Sequence, residues 1–238
     1  MHVCRRWRNI VLSSSRRLNL LLLCMDRTPV MEMLDIWPAF FPIVVRSRDE
    51  EPEDDGVWNV GSARKHPDRV REIFFDDISS QIFDSEVFSS EIQGSFPVLT
   101  TLVLKIGYRR HFLFPEPFCH RSSPRLRSLD LDSIPFSAVH ELLLSANGLV
   151  DLSLWDLPEY VSPEGIVPYL SLMAGLESMY IGFRYVEDLP HQERQRSYPL
   201  PSIVLPALIR LVLKSPCGYS EDLMARLGTS RLDKVLSA

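Results

Sequence analysis

Three side chains able to act as nucleophile, base or metal ligand fall within ten positions of one another: His111, Cys119 and His120. A Cys–His pair can do acyl transfer when the base lies in reach of the thiol, and a His/Cys set can hold zinc when a fourth ligand follows at regular spacing. Here no fourth ligand does, and Phe114 to Pro124, with three prolines, reads as loop. A hydrolase using His111 or Cys119 is therefore a minor alternative. Asp76-Asp77 and the Asp130/Asp132 pair carry carboxylates without a matching base or metal-ligand pattern, and read as surface or strand-end positions. The chain has no Gly-x-Ser-x-Gly elbow, phosphate loop or His-Glu-x-x-His motif. The expectation is a protein that is not an enzyme, with no catalytic residue, no metal site and no cofactor.

Composition bounds the rest. At 238 residues and 45% hydrophobic, the chain is long enough to bury one substantial core. A net charge of −5 and a pI near 5.7 argue against general nucleic-acid binding, which needs clustered basic residues. No stretch approaches the roughly 20 apolar residues of a membrane-spanning helix. Arg5, Arg6, Arg8, Arg16 and Arg17 precede the apolar run Leu18 to Met25 in the manner of a signal peptide, but Asp26, Arg27, Thr28 and Pro29 follow in place of a small-residue cleavage site. Cys4, Cys24, Cys119 and Cys217 are widely spaced and read as reduced thiols, mostly buried, in the cytoplasm or nucleus. Neither a nucleic acid nor a membrane is expected as partner.

A short pattern repeats: apolar, two of any kind, apolar, one of any kind, apolar. Clear copies are Leu99/Leu102/Leu104, Leu126/Leu129/Leu131, Leu149/Leu152/Leu154, Leu176/Met179/Ile181 and Leu208/Leu211/Leu213. Weaker copies are Phe40/Ile43/Val45 and Val70/Ile73/Phe75, and a partial one ends at Leu232 and Val235 with Ser237 in the last slot. Copies begin 23 to 32 residues apart, a period typical of stacked units. The last two apolar residues of each copy are two apart, as one face of a strand requires. A Pro, Gly or Ala-polar lead-in precedes most copies. One such unit cannot bury its apolar face alone, whereas stacking joins the faces into a continuous core. The fold class expected is α/β: a curved solenoid resembling leucine-rich repeats, with about six or seven degenerate units of short parallel strands and helical or irregular return segments.

Helical returns are expected over 79–92, over 136–146 with Asn147-Gly148 as the stop, after the Ser162-Pro163-Glu164 cap, and from a Ser220-Glu221-Asp222 cap through Leu227 to Gly228. Residues 48–56, rich in acids, read as a solvated flexible loop, and 187–206 as a long charged loop.

The N-terminus carries a resemblance. Val3, Cys4, Trp7, Ile10 and Val11 form a helical apolar stripe, with Arg5, Arg6 and Arg8 opposite. The string Val3-Cys4-Arg5-Arg6-Trp7-Arg8-Asn9-Ile10-Val11 resembles the last helix of an F-box, and Ser14 to Leu20 resembles the exit from it into a first solenoid strand. Leu34-Asp35-Ile36-Trp37-Pro38, Phe41-Pro42-Ile43-Val44-Val45 and the later leucine blocks are similar to a group of fungal F-box proteins with degenerate leucine-rich repeats. The resemblance implies that residues 1–17 are the C-terminal part of an F-box-like motif and 18–238 the solenoid. It implies substrate recognition in a Skp–cullin–F-box ubiquitin ligase, with Val3, Cys4, Trp7 and Ile10 on the adaptor side. The first half of such a motif does not precede Met1-His2, so adaptor docking is expected to be weak or absent for this chain. A Skp-type adaptor is a partner if the F-box is complete in the full-length protein. A leucine-rich interaction scaffold unconnected with ubiquitination is the alternative.

Residues alternating with the core triples point out of the core: Thr101, Val103, Ser128, Asp130, Asp151, Ser153, Ser178, Tyr180, Arg210 and Val212. In a horseshoe these line the concave face, where an unknown protein target would bind. Tyr180 with Phe183, Arg184 and Tyr185 is the best local cluster, with Trp155 just past its strand as either a further anchor or a residue buried in the rim.

Overall fold

The structure, a computed structural model, describes residues 6, 9–10, 21–25, 30–37, 40–48, 62–63, 65–78, 95–106, 123–184, 202–215 and 217–237. Its elements run β1 (Leu22–Cys24), α1 (Val30–Ile36), β2 (Ile43–Arg48), β3 (Val70–Ile78), β4 (Thr101–Ile106), β5 (Ser128–Asp132), α2 (Phe136–Ser145), β6 (Asp151–Leu157), α3 (Pro163–Leu170), β7 (Ser178–Phe183), β8 (Ile203–Val204), β9 (Arg210–Lys214), α4 (Cys217–Arg226), β10 (Leu227–Gly228) and β11 (Lys234–Ser237). Among the described residues, nine strands form one parallel sheet in the order β1-β2-β3-β4-β5-β6-β7-β9-β11, and it does not close into a barrel. The chain is thus α/β, with every main-sheet strand beside its predecessor in that sheet.

The apolar pattern sets the register. Ile73, Leu102, Leu129, Leu152, Met179, Leu211 and Val235 are ladder partners in turn. Leu104, Leu131, Leu154 and Ile181 align two positions on. These inward residues of β3 to β9 are buried and share one core with Val139, Leu142, Ile166, Leu170 and Leu223 of the helices. A one-residue slip would turn each strand's leucines outward, so burial on one face fixes the pairing.

The lead-ins are turns. The amides of Leu99, Leu126, Leu149, Leu176 and Leu208 donate to the carbonyls of Phe96, Ser123, Ala146, Met173 and Leu205 at 3.0–3.3 Å. Pro97, Pro124, Asn147, Ala174 and Pro206 take the first central position of these turns. No described glycine has positive φ, which matches type I geometry and its tolerance of proline there. The next residue's carbonyl accepts two amides of the following unit: Thr100 from Arg127 and Ser128, Arg127 from Val150 and Asp151, Val150 from Glu177 and Ser178. The turn thus starts the strand and ties it to the next.

Several expectations change. The Phe40 copy is out of step by two residues: Val45, not Ile43, pairs with Ile73 across an irregularity at Ile43/Val44. Phe40 is 57% exposed and Phe41 is buried in its stead. A shift of two keeps the same face inward, so alternation alone cannot detect it. The strand Leu22–Cys24 was hidden inside a uniform apolar run. Asn147-Gly148 does follow the end of α2, as expected of a stop; Ala146 takes the cap position and the pair forms the next turn. The α4 helix begins at Cys217, not after Ser220, whose hydroxyl meets Ser215 Oγ at 2.8 Å. Leu227-Gly228 is not a helix end but a strand, β10, paired with β8 at the close of the expected 187–206 loop. The Ser162 cap forms as expected, its Oγ accepting from the Gly165 amide at 3.1 Å. The expected helix over 79–92, residues 49–56 and most of 187–206 lie outside the described residues.

Candidate functional site

The period of two places the ten alternating residues on the outward face of β4, β5, β6, β7 and β9. Thr101, Ser128, Asp151, Ser178 and Arg210 form one row across the strands. Val103, Asp130, Ser153, Tyr180 and Val212 form the next. Asp151 and Arg210 are exposed, and the others are half-buried.

A third row lies two residues further along: Lys105, Asp132 and Trp155, then Gly182 and Lys214. It holds most of the face's interacting groups, and the apolar triple does not mark it because the triple ends one residue earlier. Trp155 belongs to β6 and is not past it. It is 38% exposed and stacks on Tyr180, centroids 3.6 Å apart and planes 22° from parallel. Gly182 makes room for the Tyr180 ring. A Cβ there would lie 2.9 Å from Tyr180 Cε1 and 3.0 Å from its hydroxyl. Phe183 is not part of this surface. It is 1% exposed, since β7 turns it into the core against Tyr219.

Charge surrounds the aromatic pair. Lys105 Nζ lies 3.6 Å from Asp130 and 3.9 Å from Asp76, and Lys214 Nζ lies 3.2 Å from Asp156. Ser133 Oγ donates to Asp132 Oδ1 at 2.9 Å and accepts from the Arg184 guanidinium. Ser133 and Asp156 sit at φ 64° and 44°, the only described non-glycine residues in the left-handed region. Such strain persists only where the surroundings enforce it. Here the Ser133 amide donates to the Trp155 carbonyl at 3.0 Å, and Lys214 holds Asp156.

Burial raises the Asp130 carboxyl above the usual range, against Lys105; burial also raises Asp132, and Asp156 adds to that shift. Burial raises the Tyr180 phenol, helped by the negative charges of Asp156 and Asp132. Burial raises Asp151 too, with Glu177 adding and Arg210 opposing. The surface therefore offers an aromatic platform among carboxylates that favour a proton or a cation. Among the described residues, no three His, Cys, Asp or Glu are gathered as a metal site, and no helix is long and apolar enough to cross a membrane.

No family model, curated protein or solved structure matches the chain.

Of the residues that the F-box resemblance assigns to an adaptor, Ile10 is helical and 49% exposed, while Val3, Cys4 and Trp7 lie outside the described residues. His111, Cys119, His120 and Tyr185 also lie outside them. Cys24 is a buried free thiol, pushed up to about 11 by burial, against the pull of Arg69.

Proposed function

We propose that the chain is a non-catalytic protein-recognition module, a degenerate leucine-rich-repeat solenoid whose outward strand face holds a protein target. The observation that carries this reading is the aligned outward rows, with the Trp155–Tyr180 stack among Asp130, Asp132 and Asp156. Aromatic anchors with a polar surround are the groups that dominate protein interfaces. The sequential parallel ladder with its recurring turns supports the solenoid reading, because each unit buries its leucines only against its neighbours.

The N-terminal resemblance supports a finer proposal: a substrate-binding subunit of a Skp–cullin–F-box ubiquitin ligase, acting in the cytoplasm or nucleus. The mechanism is positioning. A rigid surface raises the effective concentration of target lysines near the ubiquitin-loaded enzyme, and other subunits carry out the transfer.

Affinity capture from cell lysate tests the assignment with two forms, this chain and the chain extended upstream in its genomic frame. The expected result is that the extended form alone brings down Skp and cullin, while both retain one further protein. If neither form retains Skp and both keep that further protein, the chain is a leucine-rich scaffold outside the ubiquitin system. If neither retains any protein, the recognition reading fails.

A further inference from the structure

Two side chains of the third row turn back onto one residue of the row before it. Lys105 of β4 and Trp155 of β6 stand on either side of Asp132 in the ladder. Both act on Asp130, the Lys105 ammonium from 3.6 Å and the Trp155 indole N–H as a hydrogen-bond donor from the other side. Asp132 itself is bonded by Ser133. Lys105 also meets Asp76 of β3, and Trp155 stacks on Tyr180 of β7. A chain of side chains thus runs from β3 to β7, Asp76 to Lys105 to Asp130 to Trp155 to Tyr180, with Asp130 at its centre. Aspartate is an unfavourable choice for that centre on other grounds. It is depleted in strands, and the same row carries Val103 and Val212. Its side chain is 27% exposed, and its Oδ1 is buried without a full hydrogen bond. A valine would avoid that desolvation. What aspartate supplies instead is an acceptor for the indole N–H and an anion for Lys105.

We propose that Asp130 is the positioning residue of the recognition face: anchored by Lys105, its carboxylate sets the orientation of the Trp155 indole, and through it the Tyr180 ring, before the target arrives. This rests on the reading of the outward face as a recognition surface. Ordering a free side chain on binding costs affinity, and an indole already held does not incur that cost. Trp155 is 38% exposed and stacks on Tyr180. Stacking lets two rings slide and tilt, whereas a contact at the N–H is directional and removes that freedom. The charged groups that act on Asp130 are Lys105 and, on its own strand, Asp132. Asp156 acts on Asp132 and Tyr180, and Arg184 on Asp132. Protonation of Asp130 weakens both of its contacts at once, because each is strongest to the ionised carboxylate.

The test uses the full chain and the indole Nε1–H resonance of Trp155, identified by its loss in Trp155→Phe. At pH 7, Asp130→Val should move this resonance and lower its heteronuclear NOE, the mark of a looser ring. Asp130→Asn, which keeps an acceptor oxygen, should stay close to the parent. On acidification the parent resonance should follow a titration step. Asp130→Asn should lack that step and Asp132→Asn should keep it. Lys105→Met should move it to higher pH, because the ammonium holds the proton off Asp130. The protein retained by affinity capture should bind Asp130→Val about tenfold more weakly than the parent, with Asp130→Asn between them. A Trp155 resonance that is the same in Asp130→Val and the parent, or an acid step that survives in Asp130→Asn, overturns the inference and leaves the recognition reading standing. Should Asp130→Val fail to unfold cooperatively, the acid step in Asp130→Asn decides by itself. A resonance that responds as expected, with a retained protein indifferent to Trp155→Ala, supports the hold on Trp155 and overturns the recognition reading of this face.

Discussion

Gly182 controls the aromatic pair from beneath, because any Cβ at that position collides with the Tyr180 ring. Gly182→Ala should therefore push the half-exposed Tyr180 ring aside at a cost of about 0.5–1.5 kcal/mol, the range for a side chain forced off its rotamer. In a Tyr180→Ala background the obstacle is gone and the cost should largely disappear. Urea titration of the four chains of this cycle measures the coupling, and additive costs would contradict the contact. Asp132 gives a prediction of a different kind. Its carboxyl is held above the ordinary 3.8, chiefly by burial, so the folded chain holds that proton more tightly than the unfolded chain does. Above the raised value the ionised group penalises the folded state. Below the ordinary value both states are protonated and the penalty vanishes. Asp132→Asn is thus expected to raise Tm at pH 7, with the gain shrinking as pH falls through the carboxylate range. A Tm below the parent's at pH 7 would contradict this. A residue kept at a cost to stability fits a role in binding.

Within an element, neighbouring residues have opposite fates. Leu152 is buried against its ladder neighbours, while Ser153 looks outward. Leu152→Ala should cost about 2–5 kcal/mol through the cavity it leaves, and Ser153→Ala should stay within about 0.5 kcal/mol. Thermal unfolding of the two variants checks this, and similar losses would mean that the faces are wrongly assigned. The same alternation made β4, β5, β6, β7 and β9 legible in the sequence: apolar residues two apart set the face, and Pro, Asn-Gly or Ala-Gly before them set the turn. It failed where its physics is silent. A two-residue shift in β2 preserves the face, and a uniform run around Leu22 shows no alternation. Ser220 looks like a helix cap but lies inside α4, its hydroxyl paired with that of Ser215 just after β9. The two-residue strands β8 and β10 exist only because the chain brings Ile203–Val204 beside Leu227–Gly228.

At the scale of the molecule, the sequential order of strands turns local alternation into continuous rows. Ten outward residues could be read from the pattern because each lies just before one of the last two apolar residues of a triple. Lys105, Asp132 and Lys214 come after the triple, Trp155 was expected near the face but past its strand, and Gly182 matters only through the ring laid over it. Sequence reasoning therefore located the face and missed much of what equips it. The central claim is that this face, centred on the Trp155–Tyr180 stack, holds a protein. A photo-crosslinking residue placed at Ser153, beside the stack, tests it most directly, with the same residue at Leu144, exposed on α2, as the control. The account predicts one discrete crosslinked protein from Ser153 that is absent from Leu144 and lost when Trp155 and Tyr180 are both changed to alanine in a chain that still unfolds cooperatively. Crosslinks that are the same from both positions, or that survive loss of the aromatic pair, would contradict it.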